Sequence, residues 1–241
     1  MPASHLHRRQ FLQFGALAAG LALPAAASWA CDPNWGDKLR KRSSPPPQGA
    51  AAAAASAKAG STCAITEANI EGPYYRAGAP LRSNLLDTDV SGVALLLTGR
   101  VLSLDCRSPL ANAELDIWHA DDHGHYDNDG SLHLPSDRFR LRGRIKTDKD
   151  GAFSLSSIVP GRYLNGKVYR PAHVHVKAVA AGHQGLTTQL YFPGDPYNDV
   201  DPFIRRSLIM DVAAKGEGKH AHFDFVLPPV PKQVNREHDS W

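Results

Sequence analysis

Short segments of alternating apolar and polar residues, separated by turns, limit what this chain can fold into. Side chains of a β-strand point to opposite faces in turn, so such segments predict strands with one buried face. Seven are present, at 94–104, 113–119, 140–147, 152–155, 172–179, 187–192 and 222–227. Asp150 and Gly151 predict a tight hairpin turn. Because long helical periodicities are few, the sequence predicts an all-β fold, an antiparallel two-sheet β-sandwich with long loops at 119–138 and 160–170.

One predicted strand carries two histidines on the same face. The segment Arg170–His175 reads RPAHVH, and one residue separates His173 from His175, so both imidazoles project to one side. Val174 and Val176 would form the opposite, apolar face. Neutral imidazole binds zinc, copper, iron and nickel. The strand therefore either holds a metal ion or exposes two histidines on an ordinary amphipathic surface.

Other histidines offer alternatives. His220 and His222 also alternate with apolar residues, and we assign this pair to the protein surface. A zinc or copper hydrolase or oxidase would instead combine the first pair with loop histidines, which are His119, His123 and His125. Histidine-rich loops are more often solvated or adventitious ligands.

Two tyrosines upstream of the first pair indicate which metal is plausible. Tyr126 and Tyr163 both precede His173, each in a predicted long loop. A phenolate is a hard, anionic oxygen donor, and such donors favour a ferric ion. Taken singly, either tyrosine could equally be a packed side chain with a hydrogen-bonded hydroxyl.

The ordered motifs together resemble the intradiol ring-cleavage dioxygenases, a family that holds non-haem Fe(III) with two tyrosines and two histidines. The matching segments are EGPYY at 71–75, LDIWHADDHGHY at 115–126, TDKDGAFSLSSIVPGRY at 147–163, RPAHVH at 170–175 and TTQLYFPGD at 187–195. The resemblance implies O2-dependent cleavage of a catechol-type ring to a cis,cis-muconate-type dicarboxylic acid. The ring substituent stays open, because EGPYY is closer to catechol and hydroxyquinol enzymes and TTQLYFPGD to protocatechuate enzymes.

The resemblance also assigns roles to individual residues. The implied iron ligands are Tyr126, Tyr163, His173 and His175. Tyr163 would leave the metal when the catechol binds and would accept a substrate proton. Arg170 would stabilise negative charge developing on the ring, and Gln189 would lie near the pocket. The expected partners are the catechol, O2 and possible further copies of the chain.

The main alternative is a secreted β-sandwich binding module without catalytic iron. The segment 147–163 is similar to the strand-turn-strand of transthyretin-like modules, where it is purely structural. That reading explains a sandwich, but it leaves the ordered tyrosines, arginine and histidine pair unexplained.

The first 60 residues predict export rather than a folded domain. Arg8 and Arg9 precede an apolar stretch at 15–23 and small residues up to Ala30, which is typical of a twin-arginine signal peptide over 1–30. The stretch is too short for a stable membrane span. Residues 31–60 read as a disordered Pro/Ala-rich linker, and 61–241 as the catalytic domain. Cys31 leaves lipidation open.

Charge and cysteine usage fit an exported enzyme. The residues up to Arg42 include six basic and two acidic ones, so the chain total of +3 leaves about −1 for the rest. Because the domain is nearly neutral, we do not expect it to bind nucleic acid. In an oxidising compartment, Cys63 and Cys106 are expected to form a disulfide.

Overall fold

The structure, a computed structural model, describes residues 63–231 of the chain. Strands dominate this part, with two short 3₁₀ helices late in the chain. The strands are β1 Ala94–Ser103, β2 Glu114–Trp118, β3 Arg142–Lys146, β4 Ala152–Ile158, β5 Tyr163–Asn165, β6 Val168–Arg170, β7 His173–Val179, β8 Leu186–Tyr191, β9 Asp211–Lys215, β10 Gly218–His222 and β11 Phe225–Leu227. The 3₁₀ helices are Pro196–Asp199 and Arg206–Leu208.

Two main sheets and one small ribbon account for these strands. One sheet has the order β11-β1-β10-β9, with β4 also paired to β1, and the other has the order β3-β2-β7-β8. Strands β5 and β6 form a separate two-stranded ribbon. The predicted all-β, two-sheet architecture is confirmed. It is not wholly antiparallel, because the hairpin from β9 to β10 brings β10 alongside β1 in the same direction, and β11 also pairs with β1 in parallel.

The apolar faces of the two sheets form one core. Leu97 and Leu155 contribute from the first sheet, and Ile117 and Val176 from the second, all at most 1% exposed. Side chains alternate along β7, so burying Val176 in this core places His175 on the opposite face of its sheet. The same pattern that builds the core therefore presents the histidines to the outer face.

Two turns differ from the sequence prediction. Gly151, with φ +69°, does turn the chain, but β3 and β4 belong to different sheets, so the turn is a crossover between sheets rather than a hairpin. The chain crosses to the other sheet because β4 pairs with β1 rather than with β3. The Val101 N–H of β1 also donates to the Gly151 carbonyl at the turn. The loop predicted over 160–170 is largely the β5–β6 ribbon.

The predicted strand 222–227 covers only the last residue of β10, then a break, and then the whole of β11. β10 ends at His222 and β11 begins at Phe225. Between them the backbone of Phe223 passes so close to Gly99 that a Cβ there would lie 1.8 Å from the Phe223 carbonyl oxygen. The chain can make this close approach only over a residue without a side chain.

A strap of residues 63–75 runs along the surface from a disulfide towards the second sheet. Cys63 and Cys106 are bonded, with their Cα atoms 5.8 Å apart, which confirms the predicted pair. Backbone N–H groups of Thr66 and Asn69 then donate to carbonyls of β11 and β8. The predicted signal peptide, linker and Cys31 lie outside the described residues. Within 63–231, no helix has the length and apolar character needed to cross a membrane.

Candidate metal centre

The two histidines of β7 are buried in the outer face of the four-stranded sheet. His173 and His175 are 2% and 1% exposed, so the alternative of an exposed amphipathic strand is wrong. His175 pairs in register with Gln189 of β8 on one side and Trp118 of β2 on the other. The Trp118 ring stacks on the His175 imidazole, with centroids 4.7 Å apart and planes within 8°. This aromatic floor fixes the direction of the imidazole.

The side chains of all four predicted ligands come together here. The Nε2 atoms of His173 and His175 are 3.2 Å apart, and the Tyr126 Oη lies 3.1 Å from the His175 Nε2. The Tyr163 ring centroid is 5.6 Å from those of both His173 and Tyr126. Two donors that bind one ion at about 2.1 Å and at a right angle to each other lie roughly 3 Å apart. The spacing of the Tyr126 oxygen and the two histidine nitrogens thus fits a single metal ion, with the Tyr163 ring beside it.

The protonation of the histidines supports a cation site. The Nδ1 of His173 lies 2.7 Å from the Pro171 carbonyl, which can only accept, so Nδ1 carries the hydrogen and Nε2 presents a lone pair. Burial lowers the pKa of His173 to about 3. Burial, followed by the charges of His173 and Arg170, lowers the pKa of His175 well below its usual value. Both imidazoles are therefore neutral at pH 7, as metal ligation requires.

The two tyrosines need a strong cation to ionise. Burial is the main cause that raises the pKa of the Tyr126 hydroxyl well above its ordinary value, and it also raises the pKa of Tyr163. A phenolate at either position would therefore depend on a positive charge placed next to its oxygen. A set of two phenols and two neutral imidazoles fits a ferric ion better than it fits a softer metal.

Two glycines let the tyrosine-bearing loops touch. Gly124 lies two residues before Tyr126, and Gly161 two residues before Tyr163. A Cβ on Gly124 would lie 2.2 Å from the Arg162 carbonyl oxygen, and one on Gly161 would lie 2.6 Å from the Gly124 nitrogen. Only glycine fits at such a backbone contact. The sequence segments DDHGHY and VPGRY contain both glycines, but their contact cannot be read from either segment alone.

Asp121 organises the first of these loops. Its side-chain oxygens accept from the backbone N–H groups of His123 and His125, and from the Nη1 of Arg140 at 3.0 Å. The Asp121 carbonyl accepts from the N–H of Gly161 at 2.7 Å, which fastens the first loop to the second. Tyr126 and Tyr163 are thus delivered by two loops held as one unit.

The histidines of the competing zinc or copper hypothesis are used elsewhere. The nitrogens of His119 contact Ser157 and the Ala120 carbonyl, both at 2.7 Å. His123 and His125 are exposed and pair with carboxylates of their own loop. The second alternating pair, His220 and His222, is half-buried rather than fully on the surface. Both contact the Thr98 Oγ1 of the five-stranded sheet, His220 through Nε2 at 2.7 Å and His222 through Nδ1 at 3.4 Å.

Arg170 enters the centre from the end of β6, opposite Tyr163 in the ribbon. It is 3% exposed, and its Nη2 donates to Asp201 at 2.9 Å and to Gln189 at 2.8 Å. Its Nη1 faces the Tyr163 Oη at 3.5 Å. Arg170 is thus a fixed positive charge beside the predicted labile ligand.

Gln189 is committed to holding Arg170. Its Oε1 accepts from Arg170 and from the Tyr191 hydroxyl, while its Nε2 donates to the Ile70 carbonyl of the strap at 2.8 Å. The structure therefore places Gln189 beside Arg170, with its oxygen and amide nitrogen already engaged by protein groups. Its predicted place near the pocket fits a positioning role.

Three residues of the centre escaped the sequence prediction. Tyr74 of the strap stacks on Tyr126, with centroids 4.3 Å apart. Trp118 forms the floor under His175, and Asp201 neutralises Arg170. The strap motif EGPYY and the aromatic end of LDIW were visible signals, whereas Asp201 lies in a segment that carries no motif.

Comparison with known proteins identifies the family. A sequence profile described as "Dioxygenase" matches residues 70–229. The chain belongs to the intradiol ring-cleavage dioxygenase family. It is 35% identical over 171 residues to a chlorocatechol 1,2-dioxygenase of Rhodococcus opacus, covering 61% of this chain and 65% of that protein. It is 38% identical over 149 residues to catechol 1,2-dioxygenase 2 of Acinetobacter lwoffii, covering 55% and 53%.

A solved structure is similar to much of this dioxygenase-family chain. It is the dioxygenase domain of a dioxygenase carbohydrate-binding protein fusion from Streptomyces sp. SirexAA-E, with 41% identity and a TM-score of 0.61. The likeness covers 69% of this chain and all of that one. By contrast, the chain spans about two thirds and about half of the lengths of the two curated relatives. The profile match over 70–229 includes all four candidate metal ligands.

Proposed function

We propose that this protein cleaves a catechol-type aromatic ring between its two hydroxylated carbons with O2, using non-haem Fe(III), to give a cis,cis-muconate-type dicarboxylic acid. The observation that carries the proposal is the convergence of three donor atoms. The His175 Nε2 lies 3.1 Å from the Tyr126 oxygen and 3.2 Å from the His173 Nε2, with the Tyr163 ring alongside. A ferric ion held by these four side chains supplies Lewis acidity towards the catechol oxygens.

The two tyrosines are suited to different tasks. Tyr126 is 1% exposed and lies between Tyr74 and His175, so it has little room to move. Tyr163 is half-buried at the start of a three-residue strand. Tyr163 is thus the ligand that can swing aside, and its oxygen would then accept a proton from a catechol hydroxyl.

Arg170 would act on the charge of the substrate. Its guanidinium is always protonated, and Asp201 and Gln189 fix its Nη2 so that Nη1 points at the Tyr163 oxygen. When Tyr163 moves, that donor would face the ring oxygen that takes its place. Such a preorganised donor stabilises negative charge without reorganising during the reaction.

The first test is the visible spectrum of the purified, iron-loaded protein, before and after anaerobic addition of catechol. Tyrosinate bound to Fe(III) is expected to give a broad band that moves to longer wavelength with catechol. A protein that stays colourless after ferric reconstitution would refute the proposal and favour the binding-module alternative.

The variant Tyr163→Phe separates binding from turnover. We expect it to retain iron through the three remaining ligands and to lose at least 100-fold in kcat, because the base and labile ligand are gone. Tyr169→Phe is the matched control, since Tyr169 lies in the same ribbon with an exposed side chain. Wild-type catechol cleavage by Tyr163→Phe would remove its assigned role.

We further propose that the protein is exported by the twin-arginine route. Arg8, Arg9 and the apolar stretch at 15–23 support this, and the Cys63–Cys106 disulfide suits an oxidising compartment. Replacing Arg8 and Arg9 with lysine should retain the protein in the cytoplasm, measured by cell fractionation. Unchanged export of that variant would contradict the twin-arginine assignment.

A further inference from the structure

A buried charge cluster lies directly behind the ligand Tyr126. The next residue, Asp127, has a side chain that is 0% exposed, and its Oδ1 accepts from the Nε of Arg142 at 2.6 Å. Its Oδ2 accepts from the Nη1 of Arg76 at 2.9 Å and from the Arg140 backbone N–H at 3.2 Å. The Asp127 carboxylate is therefore held from several sides.

The cluster connects Tyr126 to a line of paired residues that crosses three neighbouring strands and includes His175. Arg142 on β3 is opposite Trp118 on β2, and Trp118 is opposite His175 on β7. The Arg142 guanidinium also donates to the Oδ1 of Asn128 at 2.8 Å, so it grips the two residues that follow the ligand. One arginine thus fixes the tyrosine-bearing loop to the same row of residues as a histidine ligand.

Stability alone explains this cluster poorly. The Arg142 side chain is 1% exposed, and burying two charges has a desolvation cost that their attraction only about offsets. Groups that hold metal ligands from behind, by contrast, commonly contribute 10–100-fold to metal affinity or activity. A buried pair next to a ligand is therefore better explained by orientation of that ligand.

We propose that Asp127, clamped by Arg142 and Arg76, is the positioning residue for Tyr126. In this role it sets the affinity of the centre for iron and the energy of the charge-transfer band from tyrosinate to iron. The inference rests on the proposed function, because it presumes that Tyr126 binds iron. Asp127 acts through the backbone of residues 126–128, and its carboxylate offsets the positive charge of two arginines beside the tyrosine.

The test is Asp127→Asn, loaded with Fe(III) and studied below its melting temperature. We expect at least a tenfold rise in the iron dissociation constant, measured by competition with a chelator. We also expect the charge-transfer band to move to shorter wavelength, since the uncompensated arginines would stabilise the tyrosinate electrons. Arg76→Gln removes one clamp without leaving a buried carboxylate wholly unpaired. It should raise the iron dissociation constant by a smaller factor, even if Asp127→Asn fails to fold. It should move the band to longer wavelength, because the Asp127 carboxylate is then less compensated.

Asp224→Asn is the matched control. Asp224 is half-buried and accepts from the backbone N–H and Nη2 of Arg100 at 2.8 Å. It lies between β10 and β11, two strands of the five-stranded sheet, which does not contain the histidine pair of β7. This control should keep wild-type iron affinity and band position. A folded Asp127→Asn or Arg76→Gln variant with the wild-type band and affinity, even if less stable to heat, would overturn the positioning role. A wild-type protein without a tyrosinate band would instead overturn the proposed function itself.

Discussion

Breaking the Cys63–Cys106 disulfide should destabilise the domain by an amount that follows from its loop. The bond joins residues 43 positions apart. The chain-entropy relation for a loop of that length gives a loss of about 13 cal/mol/K, or about 4 kcal/mol at 25 °C. A domain of this size loses about 2–4 °C in Tm per kcal/mol, so we expect Tm to fall by roughly 8–16 °C.

The effect should come mainly from the unfolded chain. After reduction, the strap should keep its hydrogen bonds, such as that from Asn69 Nδ2 to the Phe203 carbonyl at 2.8 Å and that from Thr66 N to the Val226 carbonyl at 3.1 Å. We therefore expect the native structure to change little while the denatured chain gains freedom. The variant with both Cys63 and Cys106 changed to serine should therefore match the reduced wild type.

Circular dichroism during heating, with and without reductant, measures this directly. Cys31→Ser is the control and should keep the wild-type Tm and its response to reductant. A loss of less than about 1 kcal/mol, or an equal fall in the Tm of the double serine variant when reductant is added, would refute the loop-entropy reasoning.

Two further predictions concern buried charge. Asp201→Asn leaves Arg170 buried without its counterion and should lower the free energy of unfolding, measured by urea titration, by about 3 kcal/mol. The control Asp199→Asn, in an exposed pair with Arg206, should change it by less than about 0.5 kcal/mol. Equal losses in the two variants would contradict the argument. Burial lowers the pKa of His119 to about 4 and of His173 to about 3. The unfolded chain therefore binds more protons between about pH 4 and 6.5, so the iron-free protein should lose stability as pH falls through that window. His119 and His173 together give a slope approaching about 3 kcal/mol per pH unit, and His175 adds to it. Urea midpoints that do not change between pH 7 and 5 would contradict this.

The sequence predicted seven strands, β1 to β4, β7, β8 and β11, because they obey a period of two. It missed β5, β6 and β9, and all of β10 except His222. The alternation of Val174 and Val176 with the histidines places β7 correctly, and the core residues follow from the same rule. The crossover at Gly151 and the break after His222 could not be predicted. Both depend on which distant strand pairs with β1, and local residue order carries no information about that choice.

For the candidate centre, the sequence indicated the four converging side chains but not the residues that hold them. Tyr126 and His175 stand in motifs whose residue types suit a metal. Asp127 and Asp201 look like ordinary acidic loop residues, and their importance arises only because folding buries them against arginines from other elements. Pairings over such sequence distances leave no local periodicity.

The alternation along β7 also separates two kinds of evolutionary change. Substitutions at Val174 and Val176 alter the packing between the sheets, whereas substitutions at His173 and His175 alter the ions and ligands that the outer face can hold. Adjacent codons thus govern different properties of the molecule. The chemistry of the outer face of this strand can therefore change while the scaffold on its other side stays the same.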